Sequence, residues 1–182
     1  MNPEDAVLLL IHANRGRVDG RTTIQKLAYF TQLLVPLSRK LQFRPHFYGP
    51  YSAELAGLLN SLVGIRFLGI EAVRTIRQRV MYSYSLTPDG EDFVHKFAQQ
   101  EQAGKIVEVL ETCQNETGLN PDVLSFAAKA DYILRQKRKS YTSPQVIAEG
   151  KKLGWNLTDQ QVRDGVKLLQ ALKLAKKRKR IS

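Results

Sequence analysis

Between Val80 and Leu86 the hydrophobic period of this chain drops to two. Val80, Tyr82, Tyr84 and Leu86 alternate with Met81, Ser83 and Ser85, the pattern of a strand with one buried face. The stretch before it, "GIEAVRTIRQRV", is rich in β-branched residues, so a hairpin is expected over about Val73 to Leu86 with its turn near Arg77, Gln78 and Arg79. Nearly everything else has a helical period. The fold must therefore seat one small β element among helices, which places the chain in the α+β class, mainly α with a β-hairpin.

The helices can be placed by their caps. Asn2 caps a first helix that opens on Pro3 and runs through "EDAVLLLIHA" to the break at "NRGRVDG". A second, "TTIQKLAYFTQLL", has Ile24, Leu27, Phe30 and Leu34 on one stripe behind Thr22 or Thr23 as cap. A third begins after Ser52, with Glu54 in the first turn and Leu55, Leu58, Leu59 and Leu62 buried. After the hairpin, Thr87 and Pro88 open a fourth. Helix, helix, helix, hairpin, helix is the order of a winged helix-turn-helix, assigned to residues 1–100.

Residues 101–175 read as helical. One helix ends at Gly118, another starts at Asn120-Pro121, and "SPQVIAEGKKLGWNLTDQQVRDGVKLL" outlines a second helix-turn-helix-like pair with a Thr158/Gln161 capping box. Residues 176–182 form a basic tail. Cys113, the single cysteine, lies on the apolar stripe of Ile106, Val107 and Leu110 and is expected to be a buried apolar residue rather than a reactive thiol.

Charge gives the main functional cue. Residues 129–182 hold 15 Lys or Arg against 4 Asp or Glu, a net +11, whereas residues 1–128 hold 13 of each. A cationic segment of this kind suggests a polyanionic partner, nucleic acid and most simply double-stranded DNA. The expected contacts are Arg74, Arg77 and Arg79 at the hairpin; Arg135, Lys137, Arg138 and Lys139 in "RQKRK"; Arg163 and Lys167 on the last helix; and Lys176, Lys177, Arg178, Lys179 and Arg180 in the tail. The third helix, the usual reader of the major groove, presents Glu54, Gly57, Asn60 and Ser61 without a cation, so direct base reading by it is not expected.

The segment "FRPHFYGPYSAEL" concentrates His46, Tyr48, Tyr51 and Ser52. Gly49-Pro50 makes a turn, Tyr51 anchors it and Ser52 caps a helix, so architecture accounts for these residues; a groove for a protein partner lined by them is the functional alternative. No acid/base, phosphate-loop or metal-ligand spacing accompanies them. The expectation is a protein that is not an enzyme and has no metal and no cofactor. No apolar run is long enough to span a bilayer, and the acidic start is unlike a signal peptide. A cytoplasmic protein with no membrane contact is expected, and a homodimer is compatible with the sequence.

Four segments together, "GRTTIQKLAYF", "HFYGPYSAEL", "YSLTPDGEDF" and "LSFAAKADYIL", resemble the YwgA-like family of small prokaryotic proteins. More distantly they resemble the Panacea or antitoxin-associated proteins, with their Lys-Leu-x-Tyr and Tyr-Gly-Pro segments. The most specific part is the pair Gln25-Lys26-Leu27-Ala28-Tyr29 and Tyr48-Gly49-Pro50-Tyr51-Ser52. The resemblance implies a winged-helix fold near DNA regulation or antitoxin systems and brings no catalytic residues; the basic tail departs from it. The leading expectation is thus a non-enzymatic winged-helix DNA-binding regulator of transcription, and the rival is an antitoxin- or adaptor-like protein-interaction module without specific DNA binding.

Overall fold

The computed structural model describes residues 1–74, 80–137 and 141–175. These form eight helices and one three-stranded antiparallel sheet. The order is α1 (Pro3–Ala13), β1 (Arg17–Asp19), α2 (Arg21–Leu34), α3 (Ala53–Gly64), β2 (Leu68–Arg74), β3 (Val80–Leu86), α4 (Pro88–His95), α5 (Glu101–Thr117), α6 (Pro121–Lys137), α7 (Ser143–Lys152) and α8 (Asp159–Ala171). Among the described residues no helix is long and apolar enough to cross a membrane.

Most expected caps are present. Asp5 N–H donates to Asn2 Oδ1 at 2.7 Å, Gly90 N–H to Thr87 Oγ1 at 3.1 Å, and Asp122 N–H to Asn120 Oδ1 at 2.9 Å. Thr158 and Gln161 bond reciprocally, and Gly118 ends α5 in the left-handed conformation at φ 57°. The start of α2 differs from expectation. Gly20, at φ 90°, is its N-cap, and neither Thr22 nor Thr23 caps it. The reason is the preceding strand: Gly20 N–H bonds to Tyr82 O at 2.9 Å, so the chain leaves β1 and turns at once into the helix.

That strand had no sequence signal, since three residues are too few for a period. Arg15 and Gly16 take positive φ, 58° and 75°, and swing residues 17–19 alongside β3. The sheet order is β1-β3-β2, with Val18 opposite Tyr84 and Ile70 opposite the same Tyr84. As the central strand, β3 is paired along both edges, and Ser83 and Tyr84 are both buried although adjacent, with the Ser83 hydroxyl bonded to Asp19 of β1. Val80, expected on the apolar face, is 57% exposed because it lies at the strand end beyond the core. The hairpin also begins earlier than expected, at Leu68; the turn expected near Arg77, Gln78 and Arg79 falls outside the described residues.

The core crosses the boundary near residue 100. Helix α5 packs on α1 and α2, and α6 packs on α2 and α8, so apolar side chains from both parts form one cluster. Cys113 is fully buried within it, and burial pushes its thiol up to about 12. The α6–α8 crossing is close because position 165 is glycine. A Cβ there would stand 2.7 Å from Ala127 N and from Phe126 C. Helix propensity alone favours Ala over Gly by about 1 kcal/mol, but the backbone of α6 has nowhere to go. Gly165→Ala is therefore expected to destabilise by about 1–3 kcal/mol in urea unfolding; a variant more stable than the parent would show that the crossing can widen freely.

Candidate functional site

The two most specific motifs interlock. Gln25, in the second turn of α2, faces the chain where it enters α3: Gln25 Nε2 donates to Ser52 O and Ser52 N–H donates to Gln25 Oε1, both at 2.9 Å. One residue on, Lys26 Nζ donates to Pro50 O at 2.8 Å. Tyr29 donates to Asp131 Oδ2 of α6 at 2.8 Å, and the same oxygen accepts from Arg135 Nε at 2.7 Å. Gln25, Lys26, Tyr29, Ser52 and Asp131 are all buried. An unpaired buried polar group costs about 1–3 kcal/mol, so Gln25 and Lys26 act as partners for loop backbone groups that would otherwise be unsatisfied, while Tyr29 and Asp131 satisfy each other.

The loop is a miniature hairpin. Arg44 and Tyr51 exchange backbone hydrogen bonds at 2.9 Å, and His46 and Gly49 close the turn. Gly49 has φ 95°, and a Cβ there would meet Lys129 Cγ at 3.0 Å. From the far side, Trp155 Nε1 donates to His46 O at 2.7 Å. Three elements remote in sequence thus hold the loop. The expected partner-groove residues divide accordingly. Ser52 is fully buried with its hydroxyl accepting from Leu55 N–H at 3.2 Å, so it offers no surface to a partner. His46 and Tyr51 stack at 5.0 Å, and Tyr48 is 49% exposed beside Phe47 at 74%. Phe47, absent from the expected set, is the most exposed aromatic of the tip.

Burial, and then the positive charge of Lys129, push the Lys26 ammonium down to about 7. Burial and then the Asp131 carboxylate push the Tyr29 phenol far above its ordinary value. Neither group reaches solvent, so the junction is structural.

The expected nucleic-acid contacts are scattered. Arg77, Arg79, Arg138, Lys139 and Lys176 to Arg180 lie outside the described residues, as does the side chain of Lys137. Arg135 is held by Asp131. Arg163 pairs with Asp159 and donates to Gln160 Oε1 at 2.9 Å, while Lys167 pairs with Glu116 at 3.1 Å. A phosphate approaching these side chains must compete with a carboxylate already in place. Arg74, exposed at the end of β2, has no such carboxylate among the described residues.

Arg74 instead lines a cleft of about 1490 Å³ beside the Arg74–Val80 end of the hairpin. The α1–β1 turn contributes Arg15 and Arg17, the start of α2 contributes Arg21, β3 contributes Met81 and Tyr82, and the α5–α6 corner closes the far wall. Arg17 is bonded to Asp19 at 2.9 Å and to Glu71 at 3.2 Å. Asp19 is kept below its ordinary value first by the Ser83 hydroxyl, against opposing desolvation, and then by Arg17. Arg21 lies 4.0 Å over the Tyr82 ring and donates to Tyr84 Oη at 3.3 Å. No carboxylate pairs with Arg15 or Arg21 among the described residues. Sequence reasoning missed this cluster by counting net charge: the three arginines of "RGRVDGR" were visible, but acidic residues elsewhere cancelled them in the sum.

The described residues define a mainly helical α+β protein whose small antiparallel sheet borders a cationic cleft; among them, no three His, Cys, Asp or Glu side chains group to hold a metal ion. No family model matches the chain. It is 35% identical over 95 residues to the Uncharacterized protein YwgA of Bacillus subtilis (strain 168), a match that covers 52% of this chain and 55% of that protein. The chain thus spans about half the length of the curated relative it matches. The YwgA-like resemblance read from the motifs is supported over that span.

Two outcomes are expected at the junction. Gln25→Leu orphans both backbone groups of Ser52 and should cost about 2–5 kcal/mol, more than the roughly 1 kcal/mol of Ser52→Ala, which removes one cap; equal losses in urea unfolding would contradict the bidentate role. For Lys26, the unfolded chain holds a proton between about pH 7 and 10.5 that the native state has released. The unfolded state binds more protons there, so stability rises with pH across that window, by up to roughly 1.4 kcal/mol per pH unit. The penalty is full below pH 7. Lys26→Met should lack this rise, and parallel stability–pH curves for variant and parent would contradict it.

Proposed function

We propose that the chain is a non-enzymatic nucleic-acid-binding protein, in which residues 1–100 act as a winged helix-turn-helix and bind duplex DNA in a regulatory role. In this reading α2 and α3 are the helix-turn-helix pair and the β2–β3 hairpin is the wing. The element order, with β1 added to the hairpin as a third strand, supports it. The observation that carries the reading is the convergence of Arg15, Arg17, Arg21 and Arg74 along the sheet at the Arg74–Val80 end of the hairpin. Arginines around a wing suit phosphates and narrow minor grooves. The exposed face of α3 carries Glu54, Gly57, Asn60 and Ser61, which favours backbone contacts by the wing over base reading by the helix. The tail cations Lys176 to Arg180 add sequence-independent affinity.

A second reading has its own observation. The Phe47–Tyr48 pair, 4.9 Å apart and exposed on an anchored hairpin, favours a protein-interaction module, since rigid aromatics are common anchors at interfaces.

Salt titration of binding to one duplex separates the two. Each phosphate neutralised contributes close to one unit to the slope of log affinity against log salt. The double variant Arg15→Ala with Arg74→Ala should make the slope shallower by up to about two units. Replacing Lys176 to Arg180 together by Gln should lower it by roughly two, if about half of them touch phosphate. Absence of duplex binding by the parent at low salt would favour the protein-interaction module.

A further inference from the structure

The cleft beside the Arg74–Val80 end of the hairpin is not uniformly cationic, and its apolar part has no counterpart on duplex DNA. Arg15 and Arg74 lie at the α1–β1 turn and the strand end, whereas Met81, Leu110 and Leu119 contribute an apolar lining. A duplex offers phosphates to such a site but keeps its base faces stacked inside. An unpaired nucleotide offers both a phosphate and a flat apolar face.

Arg21 supplies the matching geometry. Its guanidinium lies 4.0 Å over the centre of the Tyr82 ring, and its Nε is tied to Tyr84 Oη. The plane is therefore held before any ligand arrives, and Arg21 remains exposed at the cleft. Unstacked bases are taken up on aromatic rings and on arginine planes, so the Tyr82–Arg21 stack can be extended by a base as a third layer. Side-chain amides of Gln114 and Asn115 line the same cleft and can both donate to and accept from a base edge. At about 1490 Å³, the space exceeds the 300–1,000 Å³ usual for a single small ligand, which suits more than one nucleotide.

We infer that this cleft binds unpaired phosphorylated nucleotides, with a base against the Arg21–Tyr82 stack and phosphates at Arg15 and Arg74. The inference rests on the nucleic-acid-binding reading above and gives this cleft an unpaired ligand in place of a duplex one. One chemistry has two sources, a single strand or a free nucleotide, and both are arms of the test.

The full-length protein is titrated at low salt against labelled oligothymidylate and against a duplex of the same length, with ATP as competitor. Arg21→Lys keeps the charge and loses the plane. Tyr82→Leu removes the stack from the strand side. Thermal melting of both variants checks folding. The single strand is expected to bind more tightly than the duplex, and each variant should weaken it about tenfold, as loss of base stacking does. Displacement by ATP assigns the site to free nucleotides, and failure of ATP to compete assigns it to the strand; either supports the inference. A folded Arg21→Lys protein that binds the single strand as tightly as the parent, or a parent that prefers duplex, overturns the inference and leaves the nucleic-acid reading in place. No binding of any probe overturns both.

Discussion

The bidentate contact of Gln25 with the backbone of Ser52 is the constraint on which the rest of the structure depends. Residues 49–52 are drawn inside, and their peptide groups lose water that something must replace. Gln25 replaces it at Ser52 and Lys26 at Pro50. With those bonds made, Ser52 is positioned to cap α3, Gly49 lies against Lys129, and the His46 carbonyl meets Trp155. Helix α3, helix α6 and the α7–α8 connection are thereby referenced to one face of α2. The cost is an ammonium held in a dry site, visible in the lowered titration of Lys26.

This accounts for why three of the four motifs that carry the resemblance to YwgA-like proteins are rich in polar residues although they sit in the core. Gln25, Lys26 and Tyr29 come from the first, Gly49, Pro50 and Ser52 from the second, and Asp131 from the fourth. Each is a donor or acceptor, or makes room for one. In "FRPHFYGPYSAEL" these bonds give the buried members an architectural role. Phe47 and Tyr48 remain outside the network and face solvent.

Charge follows a different logic from composition. By sequence, all of the net charge belongs to residues 129–182. In space, several cations of that segment are matched locally, Arg135 by Asp131, Arg163 by Asp159 and Lys167 by Glu116. The neutral N-terminal part instead carries the concentrated cluster. Exposed ion pairs add little stability, but they decide which guanidinium groups meet an anion without displacing a carboxylate. On that criterion Arg15, Arg21 and Arg74 stand ahead of Arg163 and Lys167.

Caps, glycine stops and the period of two near Val80 depend on residues within four or five positions of one another, and the sequence by itself determined them: Asn2, Ser52, Thr87, Asn120 and Thr158 all cap where their spacing indicates. The α+β class and the burial of Cys113 follow from the same local patterns. Tertiary structure decided the remainder. β1 exists because β3 offers an edge, not because three residues favour a strand, and Gly20 displaces the threonines as cap because Tyr82 holds its N–H. The joining of Gln25 to Ser52 and of Tyr29 to Asp131 spans 27 and 102 residues. The arginine cleft likewise gathers side chains from a turn, a helix start and a strand end. Hydrogen bonds and cavities of this kind depend on distance in space, which a one-dimensional charge count or periodicity does not contain.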